Sequence, residues 1–119
     1  MTTTEIANHL VELCRKGDFE TAQKDLFSED AVSIEPHETP AFDKETKGLD
    51  AILEKGKNFK AMVEKTHSIS VSDPIITANS FACLLNMNVT MKGQRSVDMK
   101  ELCVYEVKDG EIVSEHFFM

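Results

Sequence analysis

Two glutamates fall where apolar side chains belong, and each is a group that could move protons. In Ser96–Val107, SVDMKELCVYEV, every second residue from Val97 gives Val97, Met99, Glu101, Cys103, Tyr105 and Val107. In a strand these share one face. Five of them bury well, whereas Glu101 would cost several kcal/mol there unless it is paired, protonated or open to a cavity. The closing stretch Glu111–Met119 repeats the problem, with Val113, Glu115, Phe117 and Met119 on one face and Ile112, Ser114, His116 and Phe118 on the other. Counting outward from the Lys108-Asp109-Gly110 turn favours the first set as the continuation of the Tyr105 face, which brings Glu115 beside Glu101. A slip of one residue would present His116 instead. A desolvated carboxyl ionises near neutral pH and is suited to proton transfer.

Two further groups extend the set. In AVSIEP, Glu35 closes a strand at Pro36, and in THSISV, His67 shares a face with Ile69 and Val71. A strongly curved sheet would gather Glu35, His67, Glu101 and Glu115 in one cavity. Each has a plainer reading. Glu101 could be solvated at a strand bend or paired with a lysine, Glu35 could be a wet strand end, Glu115 or His116 could lie on a solvated face, and His67 could be a rim residue. His37 and Phe42 belong to a polar loop, either as lid residues or simply as exposed loop. His9 faces outward on its helix.

The elements that must position these residues follow from periodicity. Ile6, Leu10, Leu13 and Cys14 give an amphipathic helix over 4–16, which Gly17 ends. Asp18 caps a second helix to about Asp25. A strand over Ala31–Glu35 stops at Pro36, and residues 36–47 form a loop. A third helix is expected from Leu49 to Lys65 on the stripe Ile52, Leu53, Phe59, Met62 and Val63; Gly56 within it suggests close packing. From Thr66 the period becomes two: THSISV, a break at Asp73-Pro74, then FACLLNMNVTM, a KGQ turn, the Ser96–Val107 strand, the KDG turn and the last strand. Helices followed by an antiparallel meander make an α+β domain.

Composition narrows the function. At 119 residues the chain is expected to be a single domain, 1–119. A net charge of −8 argues against nucleic acid and anionic membranes as partners. No apolar run approaches a membrane span and no leader pattern opens the chain, so the cytoplasm is the expected compartment. The three cysteines, Cys14, Cys83 and Cys103, are scattered core residues rather than a disulfide or zinc framework. Phosphate loops, paired metal-binding histidines and a serine elbow are absent, and no cofactor or metal is expected.

The order of elements and several strings resemble the nuclear-transport-factor-2-like superfamily, in particular its SnoaL-like branch, a superfamily that also contains ketosteroid isomerase. KGDFETAQKDLFSEDAVSIEP is similar to that superfamily's first-helix end, second helix and first strand, KGLDAI to the start of its third helix, and YEVKDGEIVSEHFF to its terminal hairpin. The resemblance implies an α+β cone, a strongly curved antiparallel sheet wrapped around three helices with a pocket at the wide end. It also implies a homodimer through the outer sheet face, where Ala82, Leu84, Asn86, Asn88 and Thr90 lie. Glu35, just before Pro36, stands at the isomerase's general-base position. The isomerase's first-helix tyrosine is replaced by Leu10, and Glu101 only approximates the place of its acid on the penultimate strand, so steroid isomerisation is not supported.

The resemblance to SnoaL-like cyclases implies cofactor-independent acid/base chemistry next to a carbonyl, on a small hydrophobic molecule. Glu35 and Glu101 are the expected acid/base residues, with Glu115, His67 and Tyr105 as supporting polar groups. Met87, Val89, Met99, Cys103 and Phe117 are the expected pocket lining. The alternatives are a non-catalytic ligand-binding or dimerisation module of the same fold, and a structural dimer with a filled cone.

Overall fold

The computed structural model describes residues 1–40 and 42–119. Helix α1, Thr3–Arg15, opens with a capping box: Glu5 N–H donates to Thr2 Oγ1 (3.1 Å) and Thr2 N–H to Glu5 Oε1 (2.9 Å). Its Ile6, Ala7, Leu10, Val11 and Cys14 are buried. Gly17 follows in the left-handed region, φ 75°, where a Cβ would meet the Ile69 side chain at 3.2 Å. Helix α2, Phe19–Leu26, is capped by Asp18. Strand β1 runs Phe27–Ile34 and β2 Glu45–Lys47, and α3 spans Leu49–Met62. Strands β3 (Val63–Val71), β4 (Ile75–Ile76), β5 (Ser80–Met91), β6 (Ser96–Lys108) and β7 (Glu111–Phe118) complete the chain.

The strands form one curved sheet in the order β2-β1-β7-β6-β5-β3, with β4 alongside β5, and the three helices supply the other layer. This is the expected α+β cone, with one amendment. Strand β1 pairs with β7 in parallel, which makes the sheet mixed, because the chain leaves β1 through α3 and returns to it only with its last strand. Among the described residues all other pairs are antiparallel. The core joins Ile6, Leu10, Phe27, Ile52, Phe81 and Ile112 between helices and sheet.

Three boundaries differ from the periodic reading. Strand β1 starts at Phe27 rather than Ala31. A short strand, β2, forms at the far end of the expected loop, where it pairs with Val32–Ile34. Helix α3 stops at Met62 rather than Lys65, since Val63 is already extended (φ −85°, ψ 122°) and faces Met91 on β5. Val63 completes the helix stripe and opens the strand, so periodicity alone could not divide them. Gly56 does not mark close packing: it is exposed, and a Cβ there would meet only Gln23 Oε1, at 3.8 Å.

Two β-bulges decide which polar groups face the helices. On β3, Thr66 pairs with Val89 and Ser68 with Asn88, which leaves His67 as an extra residue. On β7, Ile112 pairs with Val107 but Ser114 pairs with Glu106, which leaves Val113 extra. Ile112 is buried at the turn end, and beyond the bulge the inward position passes to Glu115, opposite Tyr105.

Candidate functional site

Between the concave face and the helices lies a cavity of about 1050 Å³. Its apolar wall comes from alternate residues of β5 and β6: Met87 faces Met99, Cys83 faces Cys103, and Tyr105 follows on β6, backed by the buried Phe81. Phe117 of β7 faces Cys103, and Phe59 of α3 leans on Phe42 across 6.5 Å. Val89, expected to line this wall, is fully buried and is not among the cavity residues. His37 and Phe42 of the loop do border the cavity.

The polar end is a chain of four residues on three elements. Lys55 Nζ of α3 donates to Glu35 Oε1 (2.9 Å), one residue beyond β1, and to Ser33 Oγ on β1 (2.7 Å). Ser33 Oγ in turn donates to Glu115 Oε1 on β7 (2.7 Å). Ser33 and Glu115 are directly paired across the parallel strands. Glu101, opposite Leu85, lines the same cavity as Glu35, Lys55 and Glu115 and is electrostatically coupled to all three.

Burial dominates the titration of the two inward carboxyls. Glu115 is 4% exposed, and desolvation lifts it to about 7 against the pull of Ser33's hydrogen bond and the Lys55 charge, with Glu35 and Glu101 adding to the rise. Glu101 is lifted to about 6 by desolvation and then by Glu35, with Lys55 opposing. Burial also keeps the Tyr105 phenol protonated far above its ordinary range. It stacks on Phe81 with ring centroids 4.8 Å apart.

Glu35, Glu101 and Glu115 thus meet at one end of the cavity. His67 does not join them. The bulge turns it to the outer face, where it is exposed and hydrogen-bonds Thr90 Oγ1 at 2.6 Å, so its expected place beside Ile69 is corrected. His116 also lies on the outer face, stacked on Phe118 at 4.2 Å. The lysine pairing that the sequence leaves open for Glu101 is made by Glu35 instead.

Sequence reasoning missed Lys55 and Ser33, although both had a signal. Lys55 lies three residues after Ile52 and four before Phe59, on the apolar stripe of α3. Ser33 alternates with Ala31 and Glu35 on the inward face of β1. Cys14, Cys83 and Cys103 are all buried free thiols bordering the cavity, with Cys14 pushed up to about 12 by burial. Among the described residues no group of three or more His, Cys, Asp or Glu side chains is arranged to hold a metal ion. Nor, among them, is any helix long and apolar enough to cross a membrane.

The chain belongs to the SnoaL-like domain family, whose profile matches residues 1–119. Among solved structures it is similar to a protein of Mesorhizobium loti described as a candidate SnoaL-like polyketide cyclase, at 31% identity and a TM-score of 0.92 over 100% of both chains. A Xanthomonas campestris protein of unknown function with a cystatin-like fold shares 19% identity, with a TM-score of 0.83 over 99% of this chain and 90% of that one. IdmH of Streptomyces antibioticus, a candidate polyketide cyclase, shares 20%, with a TM-score of 0.74 over 99% and 91%. These last two likenesses are of fold. No curated protein matches the chain.

Proposed function

We propose that the protein is a cofactor-independent enzyme that moves a proton next to a carbonyl of a small, largely apolar molecule. The observation that carries this reading is the pair of cavity carboxyls, Glu101 at about 6 and Glu115 at about 7, at the polar end of an apolar chamber. Near neutral pH such a pair offers one base and one acid side by side. Ketosteroid isomerase, a different protein, likewise sets two acids apart by the environment of each.

Glu101 is the base. Its carboxylate takes the proton from the carbon next to the carbonyl, the C–H electron pair forms the new C=C bond, and the carbonyl π pair moves to oxygen. Glu115, in its neutral form, donates a hydrogen bond to that oxygen. The enolate carbon then either recovers a proton, giving an isomer, or attacks a second carbonyl of the same molecule, closing a ring. Glu35, held by Lys55, is the less available base, and its part is to fix the lysine. Tyr105, a protonated phenol at the cavity wall, is a further donor, and Met87, Met99, Cys103 and Phe117 seat the apolar body.

The test needs no prior substrate. Ketones with acidic α-hydrogens are incubated with the protein in deuterated water, and deuterium uptake at the α-carbon is read by mass spectrometry. Uptake that Glu101→Gln reduces on the order of a hundredfold is the expected result. Compounds that bind yet exchange no faster than in buffer would leave a non-catalytic ligand-binding module as the reading.

A homodimer through the outer face of the sheet is proposed as well. Leu84, Leu102 and Phe118 are exposed neighbours across β5, β6 and β7, and Asn86 Oδ1 on the same face is buried without a partner among the described residues. Light scattering at twice the 13.3 kDa chain mass, returning to one chain mass in Leu102→Glu, is expected. A wild-type monomer would contradict it.

A further inference from the structure

We propose that Lys55 is a further catalytic group of this site: its ammonium holds the substrate's carbonyl oxygen and stabilises the negative charge that develops there. The inference rests on the acid/base reading above and adds the cation which that chemistry needs. Nothing in the resemblance to known families assigns a lysine this part.

The geometry supports it in three ways. First, Lys55 is in the cavity wall with a side chain only 14% exposed, on the apolar stripe of α3, where a solvated lysine would not be placed. Second, an ammonium has three protons. Glu35 Oε1 takes one at 2.9 Å and Ser33 Oγ another at 2.7 Å, which fixes Nζ and leaves one N–H for a ligand oxygen. The Phe117 ring, 5.7 Å from Nζ, makes up the neighbouring cavity wall. Third, Ser33 links Lys55 to Glu115, so the two donors for an oxyanion are set side by side before the substrate arrives. Donors fixed in advance and aimed at developing charge are the most effective electrostatic device available to an enzyme.

Two other uses of the lysine fit less well. A serine–lysine pair could carry out acyl transfer, but Ser33 is 0% exposed and already donates its proton to Glu115, so its oxygen cannot reach a substrate. An imine-forming lysine needs a free lone pair on nitrogen, and this one is an ammonium hydrogen-bonded to a carboxylate.

The probe is 2-naphthol, whose ionised oxygen resembles an enolate and whose neutral and ionised forms absorb and fluoresce differently. At pH 7 the wild-type protein is expected to bind it with an ionised fraction about tenfold or more above that in buffer. Lys55→Met should still bind naphthol, with the ionised fraction reduced severalfold or more, and Lys55→Arg should restore part of the ionised signal. If Lys55→Met does not fold, Lys55→Gln takes its place, and a series of naphthols of increasing acidity is compared between it and the wild type: affinity must rise more steeply with acidity in the wild type, and equal slopes overturn the proposal. Equal ionisation in wild type and Lys55→Met also overturns it, while leaving Glu101-dependent deuterium exchange untouched. Failure of the wild type to bind any naphthol overturns both this inference and the reading of the cavity as a ligand site.

Discussion

Ser33 and Glu115 face each other across the parallel strand pair of the sheet, and the serine hydroxyl donates a 2.7 Å hydrogen bond to the glutamate's Oε1. Because Ser33 also accepts from Lys55, its own proton is directed at Glu115, and the other carboxyl oxygen is left for the cavity. The bulge at Val113 makes the contact possible: the turn is the two residues Asp109-Gly110 rather than the three from Lys108 that the sequence suggests, and with strict pairing from it Ser114 would stand opposite Tyr105 and Glu115 would face outward.

Proton transfer that needs Glu101 ionised and Glu115 neutral must have a narrow pH window. Deuterium exchange, or turnover once a substrate is known, should rise through about pH 6 and fall through about pH 7. In Glu115→Gln the alkaline limb should vanish, since the amide stays neutral and can still donate. An unchanged alkaline limb in that variant would assign it to another group.

The same burial costs stability. In the unfolded chain Glu115 ionises near the 4.5 of a free glutamate, and in the fold near 7. Between those values the folded protein holds a proton that the unfolded chain has lost, so stability falls as pH rises through this window and stays low above it. Ionised Glu115 then costs on the order of 3 kcal/mol, and Glu101 adds a smaller penalty of the same sign. Denaturant melts of Glu115→Gln should therefore show a gain of roughly 1–3 kcal/mol at pH 8 and little at pH 4. A gain of equal size at both would point to packing rather than ionisation.

Gly56 lies within α3 in ordinary helical backbone, and the space for a Cβ is open. Gly56→Ala should stabilise the protein by about 0.4–1 kcal/mol through the unfolded chain's lost freedom. A loss of stability in thermal melts would mean that the cavity wall needs the glycine.

Much of the architecture is legible because single residues carry strong local signals. Gly17 and Asp18 separate α1 from α2, Asp109-Gly110 takes the two positive φ values of a tight hairpin, and the alternation through Met87, Met99 and Cys103 marks the concave face. The site is legible in part. Glu35 and Glu101 stand out as charges in apolar patterns, but Lys55 hides in a helix rich in lysine, and only its position on the stripe distinguishes it. Alternation puts His67 on the wrong face because a bulge adds one residue, an insertion that the sequence does not mark. The parallel pairing of β1 with β7 depends on contacts between residues some eighty positions apart, beyond any local pattern.

Acid/base chemistry at this site requires two glutamates held in a dry cavity end and titrating near neutrality. A carboxyl-carbon NMR titration, with Glu101 and Glu115 assigned through their glutamine variants, tests that requirement most directly. The expected midpoints are about 6 for Glu101 and about 7 for Glu115. Midpoints for both near the 4.5 of a free glutamate would mean that water reaches them, and the acid/base reading would fail.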